Sequence, residues 1–346
     1  MIFRNLIFFL IIFLCGCGQK DRVYQYKDYI FGTIIDIKIY GETENKSKQI
    51  TNLIFDDFQR LHNYLHPWEK SLISDMNHAI STGKSFIIDD AEIIRVLKEN
   101  TELSQKTDNF FNPAMGKLIA LWGFHEDNIK QSIPSSSVIK DFVSNMPLME
   151  DLTITNNTVS SKNKKFQLDL GGYAKGYALD RAKIILQNNN IKNALVNIGG
   201  NIIAIGMRGD RNWIVGIQHP RKPSAIASIN LLPGWSIGTS GDYQRYFMMN
   251  EKRYSHLINP ISGFPSANSQ STTILIPPSK NSGVLSDVYS KPLFIAPTEM
   301  KIEIAKKLNI KYFMIIQNDE KILISNEMNK VITWIDLKDE KGITVY

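Results

Sequence analysis

The hydrophobic positions open with an unbroken apolar run, Leu6 to Leu14, preceded by a single cation, Arg4. Beyond it the pattern becomes periodic. Ile35, Ile37 and Ile39 recur at a period of two, which predicts one strand over Tyr29–Tyr40. Ile50, Leu53, Ile54, Phe58 and Leu61 recur at helical spacing and predict a helix over Ser47–Leu65. Asp89–Asp90 offers a cap for a second helix, Ala91–Lys106, with Ile93, Ile94 and Leu97 inward. Asn112-Pro113 interrupts, a helical stretch then runs to Leu121, and 131–146 reads as a loop followed by a short helix. The second half is richer in strands. Leu152–Thr155, Thr158–Ser160 and Phe166–Leu168 precede a helix over Ala174–Gln187. Then come Ala194–Ile198, Asn201–Gly206, Trp213–Gln218, Ala225–Leu231 and Thr272–Ile276. Helices over Val284–Phe294, despite Pro292, and over Lys301–Lys307 lead into strands at Tyr312–Ile316 and Lys321–Ser325. Strands and helices without a βαβ rhythm, a repeat or a low-complexity linker predict an α+β fold. The expectation is a single compact domain with mixed or antiparallel sheets flanked by helices.

Composition narrows the class. A chain of 346 residues, 43% apolar and 21% charged, is neither disordered nor a rod. The formal charge of +6 is spread along the chain without a block of like charges, which argues against nucleic acid as a partner. The apolar run at the start is too short to span a bilayer, which takes ~20 residues, and follows a cation as a secretory signal does. Leu14-Cys15-Gly16-Cys17 resembles the lipobox of bacterial lipoproteins, in which Cys17 would be diacylated. Both cysteines of the chain lie there. The expected organisation is a signal peptide over 1–16, a lipidated Cys17 with a polar tether over 17–28, and a catalytic domain over 29–346. Two acyl chains anchor stably, so the expected location is the extracytoplasmic, periplasmic face of a cell membrane.

Three segments carry candidate chemistry. Asp169-Leu170-Gly171-Gly172-Tyr173-Ala174-Lys175-Gly176 ends a strand in two glycines and begins a helix, which is either an anion site or a structural turn. Lys175 in the first helical turn opposes the helix dipole and makes better sense beside an anion. It is neither a Walker loop nor a Gly-x-Gly-x-x-Gly fingerprint. His256, in Tyr254-Ser255-His256-Leu257-Ile258-Asn259-Pro260, is either a packed histidine or a base. Asp287, Ser290 and Lys291 share one helix face at i, i+3 and i+4, either as a hard-oxygen site for Mg²⁺ or as an Asp–Lys pair.

Taken in order, these segments resemble the ApbE family. The resemblance rests on Asp169–Asp180, Leu195-Val196-Asn197-Ile198-Gly199-Gly200-Asn201, Thr239-Ser240-Gly241-Asp242-Tyr243 and His256–Gly263. Phe31-Gly32-Thr33, Ser71–Asn77, Thr107–Pro113 and Leu121-Trp122-Gly123-Phe124 extend it, over about residues 24–330. The resemblance implies a T-fold-like domain and an exported FAD:protein FMN transferase. Such an enzyme moves FMN from FAD to a Thr or Ser hydroxyl of a flavoprotein, releases AMP and uses Mg²⁺. It further implies that His256 is the general base and that Asp169 and Lys175 touch FAD. Phe31, Trp68, Phe110, Phe111, Asn112 and Ile258 would line the flavin and adenine pockets. Gly172, Asp287 and Ser290 would serve the metal, and the acceptor would be a subunit of a respiratory electron-transport or sodium-pump complex.

Three departures stand out. Lys291 occupies the position of the family's metal-binding Thr and has donors but no acceptor. Either Ser290 and water complete a metal shell, or the amine takes part of the metal's place and neutralises the pyrophosphate, the reading favoured here. Asn112 replaces an Asp and Phe31 a Met. An exported FAD-binding protein, or a pyrophosphatase giving FMN and AMP, is the alternative function. A solute-binding lipoprotein is the non-enzymatic one.

Overall fold

Alternation along Thr33–Tyr40 does what its pattern predicts: Ile35, Ile37 and Ile39 are completely buried on one face. In the computed structural model, which describes residues 22–126, 128–335 and 342–346, this strand belongs to a nine-stranded sheet. The signal segment 1–16, Cys17 and 18–21 lie outside the described residues, and the remainder of the expected tether is not a tether, because Val23–Ile30 is the first strand of the sheet. The sheet runs Val23–Ile30, Thr33–Tyr40, Ala194–Ile198, Asn201–Ile205, Ser236–Gly241, Ser269–Ile276, Tyr312–Gln317, Ile322–Ile324 and Ile343–Val345. Spatial order follows chain order, and every pairing but the last is antiparallel. The α+β expectation holds.

Both faces of the sheet are covered. Val196, Ile203, Ile274 and Ile315 pack under helices, whereas Leu195, Ile202, Leu275 and Met314 face a second core. That second core is closed by a small sheet of Trp213–Gln218, Ala225–Leu231 and Ile332–Trp334. Ser269–Ile276 and Asn201–Ile205 are buried at every position, so Ile202–Ile205 and Ile274–Ile276 read as apolar runs rather than alternations, while Ser269–Thr273 is a buried polar stretch. On the other face lie the helices Glu44–Leu65, Ala174–Asn188 and Ser282–Ile295. The first begins at the Thr43 cap, earlier than the apolar spacing alone indicates, and Asp90 caps Ala91–Lys106 as predicted.

Local chemistry corrects two expectations. The strand read over Tyr29–Tyr40 is two strands, because Phe31 and Gly32 turn the chain at φ 57° and 67°. That pair of left-handed residues makes the kind of two-residue hairpin whose twist suits its strands. Phe166–Leu168 is not a strand; it pairs with the chain near Met115 through an isolated bridge to Gln167. Ser71–Asn77, given no element from its pattern, holds the cap and first part of the helix Leu72–Ser81, with a reciprocal capping box between Ser71 and Ser74.

Candidate active site

The glycine-rich turn is held by two neighbours. The Asp169 N–H donates to the Pro113 carbonyl at 2.8 Å and the Gln167 N–H to Ala114 at 3.1 Å, laying Phe110–Pro113 alongside the turn. From the other side Asn77 acts as a substitute strand. Its amide donates to the Leu168 carbonyl at 2.9 Å and accepts the Leu168 N–H at 2.8 Å. Asp169 is thereby fixed one residue beyond a double anchor. Its Oδ1 accepts the Gly171 N–H at 2.8 Å, and the Trp68 side chain also bonds to it. Burial raises the Asp169 pKa above the usual carboxylate range, opposed by Gly171, His66, Arg245 and Trp68.

The helices Ala174–Asn188 and Ser282–Ile295 cross at two glycines. A Cβ on Gly176 would meet the Gly283 carbonyl at 2.5 Å, and one on Gly283 would meet the Gly176 carbonyl at 2.5 Å. At that crossing Asp180 caps the second helix, accepting the N–H groups of Gly283 and Val284 at 3.0 and 2.9 Å. In return the first helix gives its Gly176 N–H to Asp287 Oδ2 at 2.9 Å. The other oxygen, Oδ1, pairs with Lys291 Nζ at 2.6 Å, and the same ammonium donates to the Asp287 carbonyl at 2.7 Å. Burial works to raise the Asp287 pKa, but Lys291, Lys175 and the Gly176 N–H outweigh it and keep the carboxylate ionised.

His256 sits at the end of the hairpin Tyr246–Met249/Lys252–Ser255. The sequence reading gave this hairpin no strands. Both its backbone N–H and its ring Nδ1 lie on the Arg245 carbonyl, at 3.0 and 3.1 Å. A carbonyl can only accept, so Nδ1 carries the proton and Nε2 is the free basic atom. Burial, with the positive charges of Lys175, Arg245 and Lys291, pushes the His256 pKa down to about 4 despite the bond to Arg245. The imidazole is neutral at physiological pH.

These groups meet in one cleft of about 960 Å³. Of the residues singled out from sequence, Phe31, Trp68, Phe110, Phe111, Asn112, Asp169, Gly172, Lys175, His256, Ile258, Asp287 and Lys291 all line it. Phe31 stands between Phe58 and His62, with ring centroids 5.9 and 5.8 Å away, and Trp68 lies 5.1 Å from His125. Asn112 lines the wall, but its amide is spent on the backbone, donating to Pro147 and accepting from Ala114. Ser290 is buried and turned inward: its hydroxyl donates to the Asp287 carbonyl at 2.8 Å and meets the Ser240 hydroxyl at 2.7 Å. Among the described residues Lys175 has no ion-pair partner, and no group of three or more His, Cys, Asp or Glu is arranged to hold a metal. Sequence reasoning passed over His66 and Arg245. His66 Nδ1 accepts the Trp68 and Glu69 N–H groups at 3.3 and 2.9 Å and so shapes the turn that carries Trp68. The pairing of His62 with His66 at i, i+4, closing an amphipathic helix, was the available signal.

Fold and cleft together define a class: an α+β protein whose antiparallel sheet carries an aromatic-walled, cation-bearing pocket in which His256 is buried and neutral. The ApbE family model matches residues 31–314, and the chain belongs to that family. It is 33% identical over 300 residues to a FAD:protein FMN transferase of Rhodobacter capsulatus, covering 87% of this chain and 56% of that relative's length. The corresponding enzyme of Treponema pallidum is 27% identical over 307 residues, covering 80% and 82% of the two chains. Among solved structures, an ApbE protein of Thermotoga maritima superposes with a TM-score of 0.81 at 27% identity, covering 90% of this chain and 99% of that one. The flavin transferase ApbE of Vibrio cholerae does so at 0.76 and 25%, with the same coverage.

Proposed function

We propose that the protein transfers FMN from FAD to a Thr or Ser hydroxyl of an acceptor flavoprotein and releases AMP. The observation that carries this reading is the convergence, in one cleft of about 960 Å³, of the turn at Asp169–Gly172, His256 and the Asp287–Lys291 pair. A volume of that order suits an extended organic ligand. The acceptor hydroxyl oxygen attacks the phosphorus on the FMN side of the pyrophosphate. A P–O bond forms, the P–O bond to AMP breaks, and the hydroxyl proton passes to His256 Nε2. A hydroxyl is a poor nucleophile until its proton is removed, and a neutral imidazole whose other nitrogen is already committed suits that task. Positioning and charge neutralisation at the pyrophosphate supply much of the remainder. Lys175 and Lys291 bring the positive charge, and Phe31, Trp68, Phe110 and Phe111 offer flat surfaces to the two ring systems.

Mg²⁺ does not fit the residues present. Both Asp287 oxygens are engaged, the Ser290 hydroxyl faces Ser240, and the Lys291 stem covers Gly172, where a Cβ would lie 2.7 Å from Lys291 Cε. The sequence motif at 14–17 supports lipidation of Cys17 and action at the extracytoplasmic membrane surface, where a respiratory flavoprotein subunit is a suitable acceptor.

Incubation with FAD and a Thr-bearing flavoprotein subunit, followed by mass spectrometry of that subunit, tests the proposal. An FMN adduct on the acceptor is the expected result. Free FMN and AMP with no adduct would make the protein a pyrophosphatase instead.

A further inference from the structure

We propose that Lys291 is the resident cation of this cleft, standing where a divalent metal would otherwise sit, so that FAD binding and FMN transfer proceed without a metal ion. The inference rests on the flavin-transfer reading and concerns how the pyrophosphate charge is met. Lys291 engages two of the three positions the family resemblance assigned to metal binding, Asp287 and Gly172. Its ammonium lies 2.6 Å from Asp287 Oδ1 and 2.7 Å from the Asp287 carbonyl, and its stem packs on Gly172. Ser290 is satisfied elsewhere, on Ser240 and the Asp287 carbonyl.

A merely structural ion pair is a poor account of this arrangement. Withdrawing two charges from water costs more than their attraction returns unless the geometry is excellent, and apolar residues of similar size stabilise as well. Asp287 and Lys291 instead line the open cleft. Lys175 stands nearby with no carboxylate partner among the described residues, so two lysines face the single carboxylate of Asp287. Such an excess suits an anion arriving from the cleft. An ammonium has three N–H donors, and Asp287 takes two. The third remains for a phosphate oxygen. Lysine is a compact point charge that can occupy a metal's place without the coordination shell a metal demands.

The test uses the full-length protein in detergent, freed of metals with EDTA and supplied with the Thr-bearing acceptor subunit. FAD affinity is followed by quenching of flavin fluorescence, AMP formation by chromatography, and metal binding by electron paramagnetic resonance with Mn²⁺. The wild-type protein is expected to bind and consume FAD equally well in EDTA and in millimolar Mg²⁺, and to leave Mn²⁺ free. Lys291→Thr is expected to lose roughly tenfold or more in FAD affinity in EDTA, to regain it with Mg²⁺ and to bind Mn²⁺, whereas Lys291→Arg stays metal-independent. A wild-type protein that needs Mg²⁺ for FAD binding, or that retains Mn²⁺, would overturn the inference even if neither variant folds. Failure to bind or consume FAD under any condition would instead sink the flavin-transfer reading.

Discussion

His256 shows how much a single residue owes to its surroundings. The carbonyl of Arg245 fixes its tautomer, while burial and three neighbouring cations keep it neutral. A base works only when deprotonated, so a pKa pushed down to about 4 moves the acid limb of the activity profile downward from the ordinary value near 6.5. The expected profile of kcat/KM for FAD, which reports the free enzyme, is flat from neutral pH to about pH 5 and falls as pH approaches 4. A limb centred at pH 6–7 would contradict that assignment. His256→Ala should lower transfer by about 100- to 10,000-fold while FAD affinity changes little, a split that single-turnover and equilibrium measurements together would show.

At the scale of elements, the site depends on a helix crossing and an amide anchor. Gly176→Ala places a methyl against a carbonyl that cannot move aside, so the helices must separate and the Gly176–Asp287 bond must lengthen. Overpacking of this kind costs about 1–3 kcal/mol, and chemical denaturation should register it together with weakened FAD binding. Asn77→Ala removes both bonds to Leu168 and leaves a buried N–H and C=O unpaired, a loss of about 1–3 kcal/mol by the same measurement. Much of this was legible beforehand. The helix Ala91–Lys106 and its Asp90 cap were readable because capping is local chemistry, and Ile35, Ile37 and Ile39 declared their face by period. The hairpin at Phe31-Gly32 was not, since a phenylalanine in the left-handed region carries no local signal.

For the whole molecule, the sheet grows in chain order with one core on each face, and the cleft gathers residues from Tyr29 to Ile295. The domain is expected to fold independently of any anchor. On the proposed lipidation, Cys17→Ser should release the protein from the membrane fraction, and on independent folding it should leave thermal stability unaltered, as cell fractionation and calorimetry would show. Retention of the variant on membranes would argue against a lipid anchor at that position.

By itself the sequence determined the α+β class, the glycine turn, the histidine and the Asp–Lys spacing, because periodicity, capping and helical register are properties of neighbouring residues. Only the tertiary structure decided that Asn77 holds Leu168, that Ser290 turns to Ser240, and that Asp287 takes the Gly176 N–H across a glycine crossing. Those contacts join residues 50 to 111 positions apart, and nothing in local propensity encodes the partner of a buried polar group.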